Sequence, residues 1–257
     1  MCIRDSINDE VKDTMIKQTI VSAQNQQEGT GVQQDQDMTS IVSDIIVNTN
    51  TETGSKMIEE LNNSSTNTEN DLSLKVISAI SEKDTTKLNT LSENNKEQIE
   101  TLTETAIKNA DASEESADLI AKVVANASDE LVNKVVEEVS KNSTDEKQAL
   151  SAKVMKSIVD TNPDKIETLS DQNKETMISQ TIEAAKNQAE GTLADEIDLS
   201  NTIAEIITKS DTGTAAGVLE ILEDVSNESE SKLSLSVVSI ITKQENYEEK
   251  MEILSVT

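Results

Sequence analysis

The chain has 257 residues and a formal net charge of −28, and it contains no His, Phe or Trp. With no His, and with Cys2 as its one Cys, it lacks the material for Ser-His-Asp triads, His/Cys zinc sites or Cys–His nucleophiles. An acidic excess of this size leaves no basic stripe to track phosphates, which excludes nucleic acid and disfavours anionic lipid surfaces.

Leu, Ile and Val number 17, 25 and 19, together 61 of 257 residues. That is roughly 24%, just above the ~20% level below which high net charge implies disorder. The expectation is a folded chain with a thin aliphatic core, Tyr247 being its one aromatic residue. No apolar run approaches the ~20 residues of a membrane helix, so the segment reads as soluble, with the cytoplasm favoured over the cell surface.

Residues 1–6, MCIRDS, hold the only Cys and the only Arg, Arg4. The transposon end ATG-TGT-ATA-AGA-GAC-AG translates to this hexapeptide, which therefore reads as an assembly scar outside the fold. Residues 7–257 read as one continuous helical repeat array, truncated at both ends. The segment KMEILS at Lys250 copies KIETLS at Lys165, as though a fresh repeat were starting.

The first native segment, KDTMIKQTIVSAQNQQEGT from Lys12, returns as KETMISQTIEAAKNQAEGT from Lys174 with 13 of 19 positions identical. A third copy, KEQIETLTETAIKNADASEES, opens at Lys96, so the steps are 96−12=84 and 174−96=78 residues. Repetition at this period marks supersecondary units too small to bury their own apolar faces. Each copy predicts a long helix, and Glu28-Gly29 and Glu190-Gly191 supply a glycine to close it. Met15 and Met177 are equivalent on this helix and read as core filling in a chain without aromatic bulk.

Along the chain a motif of paired apolar residues recurs as Ile41-Val42/Ile45-Ile46, Val76-Ile77/Ile80, Leu119-Ile120/Val123-Val124, Val154-Met155/Ile158-Val159, Ile203/Ile206-Ile207 and Val237-Val238/Ile240-Ile241. Measured on Ile45, Ile80, Val123, Ile158, Ile206 and Ile240, the spacings are 35, 43, 35, 48 and 34 residues. Two-helix units of ~35 residues thus alternate with three-helix units of ~45. Leu150, Val154, Met155 and Ile158 fall at i, i+4, i+5 and i+8, one face of a helix. LSLSVVSII from Leu233 alternates like a strand, but its copy ALSAKVMKSIV does not, so helix is expected there too.

A second helix follows each motif, at Met57-Ile58/Leu61, Leu88/Leu91, Val135-Val136/Val139, Ile166/Leu169, Val218-Leu219/Leu222 and Met251/Leu254. Asn162-Pro163-Asp164 predicts a cap, a proline at the first helical position and an acid at the positive helix end. Ser143-Thr144-Asp145-Glu146 has the spacing of a capping box. Heptads are not sustained, which argues against a coiled coil.

Carboxylates are the abundant functional groups. Asp35, Asp37 and Asp44 have the look of a calcium loop, yet the turn glycine is missing and Ile46 replaces the bidentate Glu, so a solvated loop is expected. Glu59-Glu60 and Glu137-Glu138 are equivalent across repeats and become Glu220-Ile221 in a further copy, which fits an exposed helix face better than paired catalytic acids. No catalytic, cofactor-binding or metal-ligating residue is assigned, and no cofactor is expected.

NPDKIETL from Asn162 and AAGVLEIL from Ala215 resemble the helical-repeat scaffolds of armadillo or HEAT type. More narrowly, they are similar to the short-helix superhelix in the cytosolic domain of MgtE-type magnesium transporters and in flagellar motor switch proteins. The resemblance implies an all-α right-handed superhelix, an α-solenoid, and maps no site residue. The expected function is a non-catalytic scaffold or protein-interaction module with a basic protein partner and diffuse divalent counter-cations. The alternatives are a regulatory cytosolic domain of a divalent-cation transporter and spacer repeats of a large surface protein.

Overall fold

A computed structural model describes residues 9–29, 37–65, 72–143, 149–189, 198–228 and 233–243. The described residues are all-helical, with no strand among them. They group into two compact units: residues 1–110 with 126–135, and residues 111–125 with 136–257.

In the first unit the helices are α1 (Asp9–Gln27), α2 (Met38–Asn48), α3 (Thr51–Ser65), α4 (Leu72–Lys83), α5 (Thr85–Asn94) and α6 (Lys96–Asn109). α1 packs on α2 and α3, α2 on α4, and α6 on α3, α4 and α5. Helix ends fall where local chemistry stops them. Asp37 accepts from the Thr39 backbone N–H at 3.0 Å and caps α2, and Asp84 accepts from Lys87 N–H at 2.9 Å and caps α5. Such caps satisfy the amides that the first turn leaves open. Gly29 takes φ +66° just beyond α1, as the Glu28-Gly29 signal predicts.

The second unit holds α9 (Leu150–Thr161), a 3-10 helix (Pro163–Thr168), α10 (Asp171–Ala189), α11 (Leu199–Lys209), α12 (Thr212–Glu228) and α13 (Leu233–Ile241). Most of α7 (Glu114–Asn126) and the later half of α8 (Asp129–Asn142) also belong to it. α9 packs on α10 and α11, and α11 on α12 and α13.

Two expectations take a different form. Pro163 stands at the first helical position, but Asn162 makes no side-chain cap bond and the segment winds as a 3-10 helix. The proposed capping box begins at Ser143, whose Oγ instead donates to Val139 O at 3.0 Å and accepts from Ser151 N–H at 3.0 Å. Its remaining residues, like residues 1–6, Glu190-Gly191 and Met251/Leu254, lie outside the described residues. LSLSVVSII is helical, as α13, in line with its copy in α9.

The core is aliphatic. Val42, Ile46, Leu61, Val76, Ile80, Leu150, Ile203 and Ile206 are fully buried, and each such side chain contributes on the order of 1.5–3 kcal/mol. Hydroxyls share this interior by bonding back to their own helix: Ser81 Oγ to Ser78 O at 2.7 Å, and Thr181 Oγ1 to Met177 O at 2.7 Å. The methionines divide. Met57, Met155 and Met177 are buried, as core filling requires, but Met15 is exposed although it is the repeat equivalent of Met177.

Candidate functional site

The second unit has a pocket of ≈ 210 Å³ lined by Glu114, Ala117, Asp118, Lys153, Lys156, Ser157, Asp160 and Thr161. α7 and α9 supply its walls. The apolar stripe of α9 turns Leu150, Val154 and Ile158 into the core, and this rotation aims Lys153, Lys156, Ser157 and Asp160 toward the α7 side.

Several polar groups around the pocket bond to one another or to backbone carbonyls. Lys153 is itself buried and donates from Nζ to Ala112 O at 2.7 Å. Ser157 Oγ donates to Asp118 Oδ1 at 2.6 Å, and Thr161 Oγ1 to Ser157 O at 2.6 Å. Lys156 pairs with Asp160 one turn on, Nζ to Oδ2 at 2.5 Å. That hydrogen bond raises the Lys156 ammonium above its ordinary value, against a smaller opposing effect of burial. A nucleophilic lysine needs the reverse, an amine deprotonated by burial or a neighbouring cation. The Ser157–Asp118 pair has no third group of the kind that makes serine reactive, since the chain has no His. What the pocket can offer is a small array of fixed charges and hydroxyls.

None of these residues is legible as a site from the sequence. A signal does exist: LSLKVIS and LSAKVMK each place a lysine, Lys75 and Lys153, inside an otherwise apolar motif. A charge kept at such a position marks a solvated edge or a bound carbonyl.

The carboxylates weighed in the sequence lie as follows. Asp37 caps α2, Asp44 accepts from Lys83 Nζ at 2.8 Å, and Asp35 lies outside the described residues. Glu59, Glu137 and Glu220 are exposed on α3, α8 and α12, as a solvated face requires. Glu138 differs from that expectation. It is buried, and Lys141 reaches its Oε1 at 2.9 Å while also bonding Glu137 at 2.6 Å. These two hydrogen bonds push the Lys141 ammonium far up from its usual value. Among the described residues no three acidic or sulfur side chains converge as a metal site would require. No helix among them is long and apolar enough to cross a membrane.

No protein-family model, no curated protein and no solved structure matches this chain.

Proposed function

We propose that the chain is a non-catalytic helical-repeat scaffold that holds a basic protein segment against repeated acidic helix faces. In this reading, two-helix and three-helix units alternate along a right-handed superhelix of armadillo or HEAT kind. The observation that supports it is the repetition of exposed acids. Glu59, Glu137 and Glu220 occupy equivalent places on α3, α8 and α12, and all are exposed. Repeats that bind one extended ligand present the same chemistry once per unit. Acidic faces select cationic partners and speed their encounter.

The test is fluorescence anisotropy of a lysine- and arginine-rich peptide at physiological salt. The triple reversal Glu59→Lys, Glu137→Lys, Glu220→Lys is compared with Glu97→Lys, Glu104→Lys, Glu183→Lys, which changes net charge equally on exposed positions of α6 and α10. The first set is expected to weaken binding by about tenfold, ~1.4 kcal/mol, and the control set by much less. Equal losses, or no saturable binding, would remove the assignment.

A further inference from the structure

The α2–α4 groove of the first unit and the α7–α9 groove of the second are built from copies of the same two helices. Ile45 and Ile80 recur as Val123 and Ile158, and a single offset aligns both pairs (123−45=78 and 158−80=78).

In the first groove the chain supplies an ammonium of its own. Lys83, at the end of α4, donates from Nζ to Asp44 Oδ1 at 2.8 Å, Ser43 Oγ at 2.9 Å and Ser40 Oγ at 3.1 Å, all on α2. In the second groove the same offset puts Thr161 at the place of Lys83, without the alkyl stem or the charge. The acid also moves by one helical turn, because Lys122 stands at the place of Asp44 and Asp118 at that of Ser40. Asp118 and Thr161 line the pocket of ≈ 210 Å³, and Lys122 does not.

The surroundings suit a cation. Glu114, Asp118 and Asp160 line the pocket against two lysines, of which Lys156 is paired with Asp160 and Lys153 donates to Ala112 O. Glu114 and Asp118 are four residues apart on α7 and so share one face of it. Asp118 accepts from Ser157 at 2.6 Å, and a carboxylate can accept about four hydrogen bonds. Buried Ala117 offers apolar surface to an alkyl stem. The −28 net charge attracts cations and repels anions. Among the described residues no three acids converge as metal ligands do, whereas an ammonium takes its acceptors singly.

We propose that the α7–α9 pocket binds a primary alkylammonium ion, which donates to the Asp118 carboxylate and the Thr161 hydroxyl where the first unit uses its own Lys83. A free alkylamine and the lysine side chain of a partner protein both present this group. The site shares no residue with the acidic faces of Glu59, Glu137 and Glu220, so loss of the basic-peptide binding proposed above would leave it standing.

Titration with n-butylammonium chloride at constant ionic strength, followed by heteronuclear NMR, provides the test. Saturable shifts should centre on Ala117, Asp118, Ser157 and Thr161. Asp118→Asn should weaken binding about tenfold, the scale of one hydrogen bond to a charged group. Thr161→Lys gives the second groove the lysine that the first one has, and should abolish binding while the circular dichroism spectrum stays that of the wild type. Butyltrimethylammonium carries the same charge but no N–H, and should leave these resonances in place. Nα-acetyl-lysine methylamide separates the two sources: shifts like those of butylammonium admit a partner's lysine, and their absence restricts the site to free amines. The proposal is overturned by a butylammonium titration without saturable shifts at these residues. Equal shifts from the trimethyl compound, or binding that survives both substitutions, overturn it as well.

Discussion

Ser78 is fully buried in α4, and its Oγ meets no hydrogen-bond partner among the described residues. Ser43, Ser81 and Thr181 are buried as well, but each donates to a carbonyl of its own helix at 2.7–2.9 Å. An unpaired hydroxyl carries its desolvation cost with no bond to offset it. Ser78→Ala is therefore expected to stabilise the chain by about 1 kcal/mol, a rise of about 2–4 °C in Tm by calorimetry; a fall in Tm would contradict the assignment. Asp211 is the opposite case. A hydrogen bond shared with the Glu167 side chain, seconded by the Thr214 backbone N–H at 2.9 Å, holds its carboxyl down to about 2 from 3.8. Because the folded value is depressed, its contribution is complete above about pH 4 and disappears as pH falls through about 2. Asp211→Ala should cost about 1 kcal/mol at neutral pH, as loss of a helix cap does. In urea titrations the gap from wild type should close on acidification across that window, and a gap unchanged at the acid end would show that the carboxylate charge is not its source.

Among the elements, α12 tolerates glycine at Gly213 and Gly217 although glycine is a poor interior helix residue. A methyl group at Gly217 would meet no atom within 4 Å, whereas one at Gly54 in α3 would come within 3.3 Å of Leu91 Cδ2. Gly217→Ala is expected to gain about 0.5–1 kcal/mol from helix propensity alone, and Gly54→Ala to gain less because Leu91 must shift. Chemical denaturation of the two variants side by side measures the difference. The same balance of local and neighbouring forces explains the segment after α9. Pro163 fixes the first residue, Asn162 adds no cap bond, and the turn tightens to a 3-10 helix in which Ile166 remains fully buried.

For the molecule as a whole, 50 acidic residues against 22 basic ones set the dominant long-range term. Ion pairs such as Lys83–Asp44 at 2.8 Å and Lys174–Glu167 at 3.3 Å neutralise a minority of the acids. The excess repels itself and opposes compaction, and salt relieves this because exposed charges interact weakly beyond a Debye length of ~8–10 Å. Melting temperature should therefore rise with sodium chloride. A larger rise in millimolar magnesium at matched ionic strength would point to diffuse divalent binding, while equal rises would leave only screening. A salt-independent Tm would contradict the repulsion argument.

The all-helical character was legible from spacing alone, because an apolar stripe at i, i+4 and i+8 can be buried only if the chain winds at 3.6 residues per turn. Leu150, Val154 and Ile158 are buried together for that reason. Repetition likewise foretold that LSLSVVSII, despite its alternation, is a helix. Spacing fixes a residue's angle about its own axis, but it carries nothing about which arcs a neighbouring helix will cover. Met15 and Met177 share a sequence context and an angle, yet one is exposed and the other buried, in a helix that packs against α9, α11 and α12. Lys153 and Glu138 are charged residues whose burial depends on a carbonyl at 2.7 Å and an ammonium at 2.9 Å supplied by folding. The sequence by itself determined the helices and their repeat. Which faces became core, pocket or open surface was decided by tertiary packing, because burial depends on what stands opposite a side chain as well as on where it points.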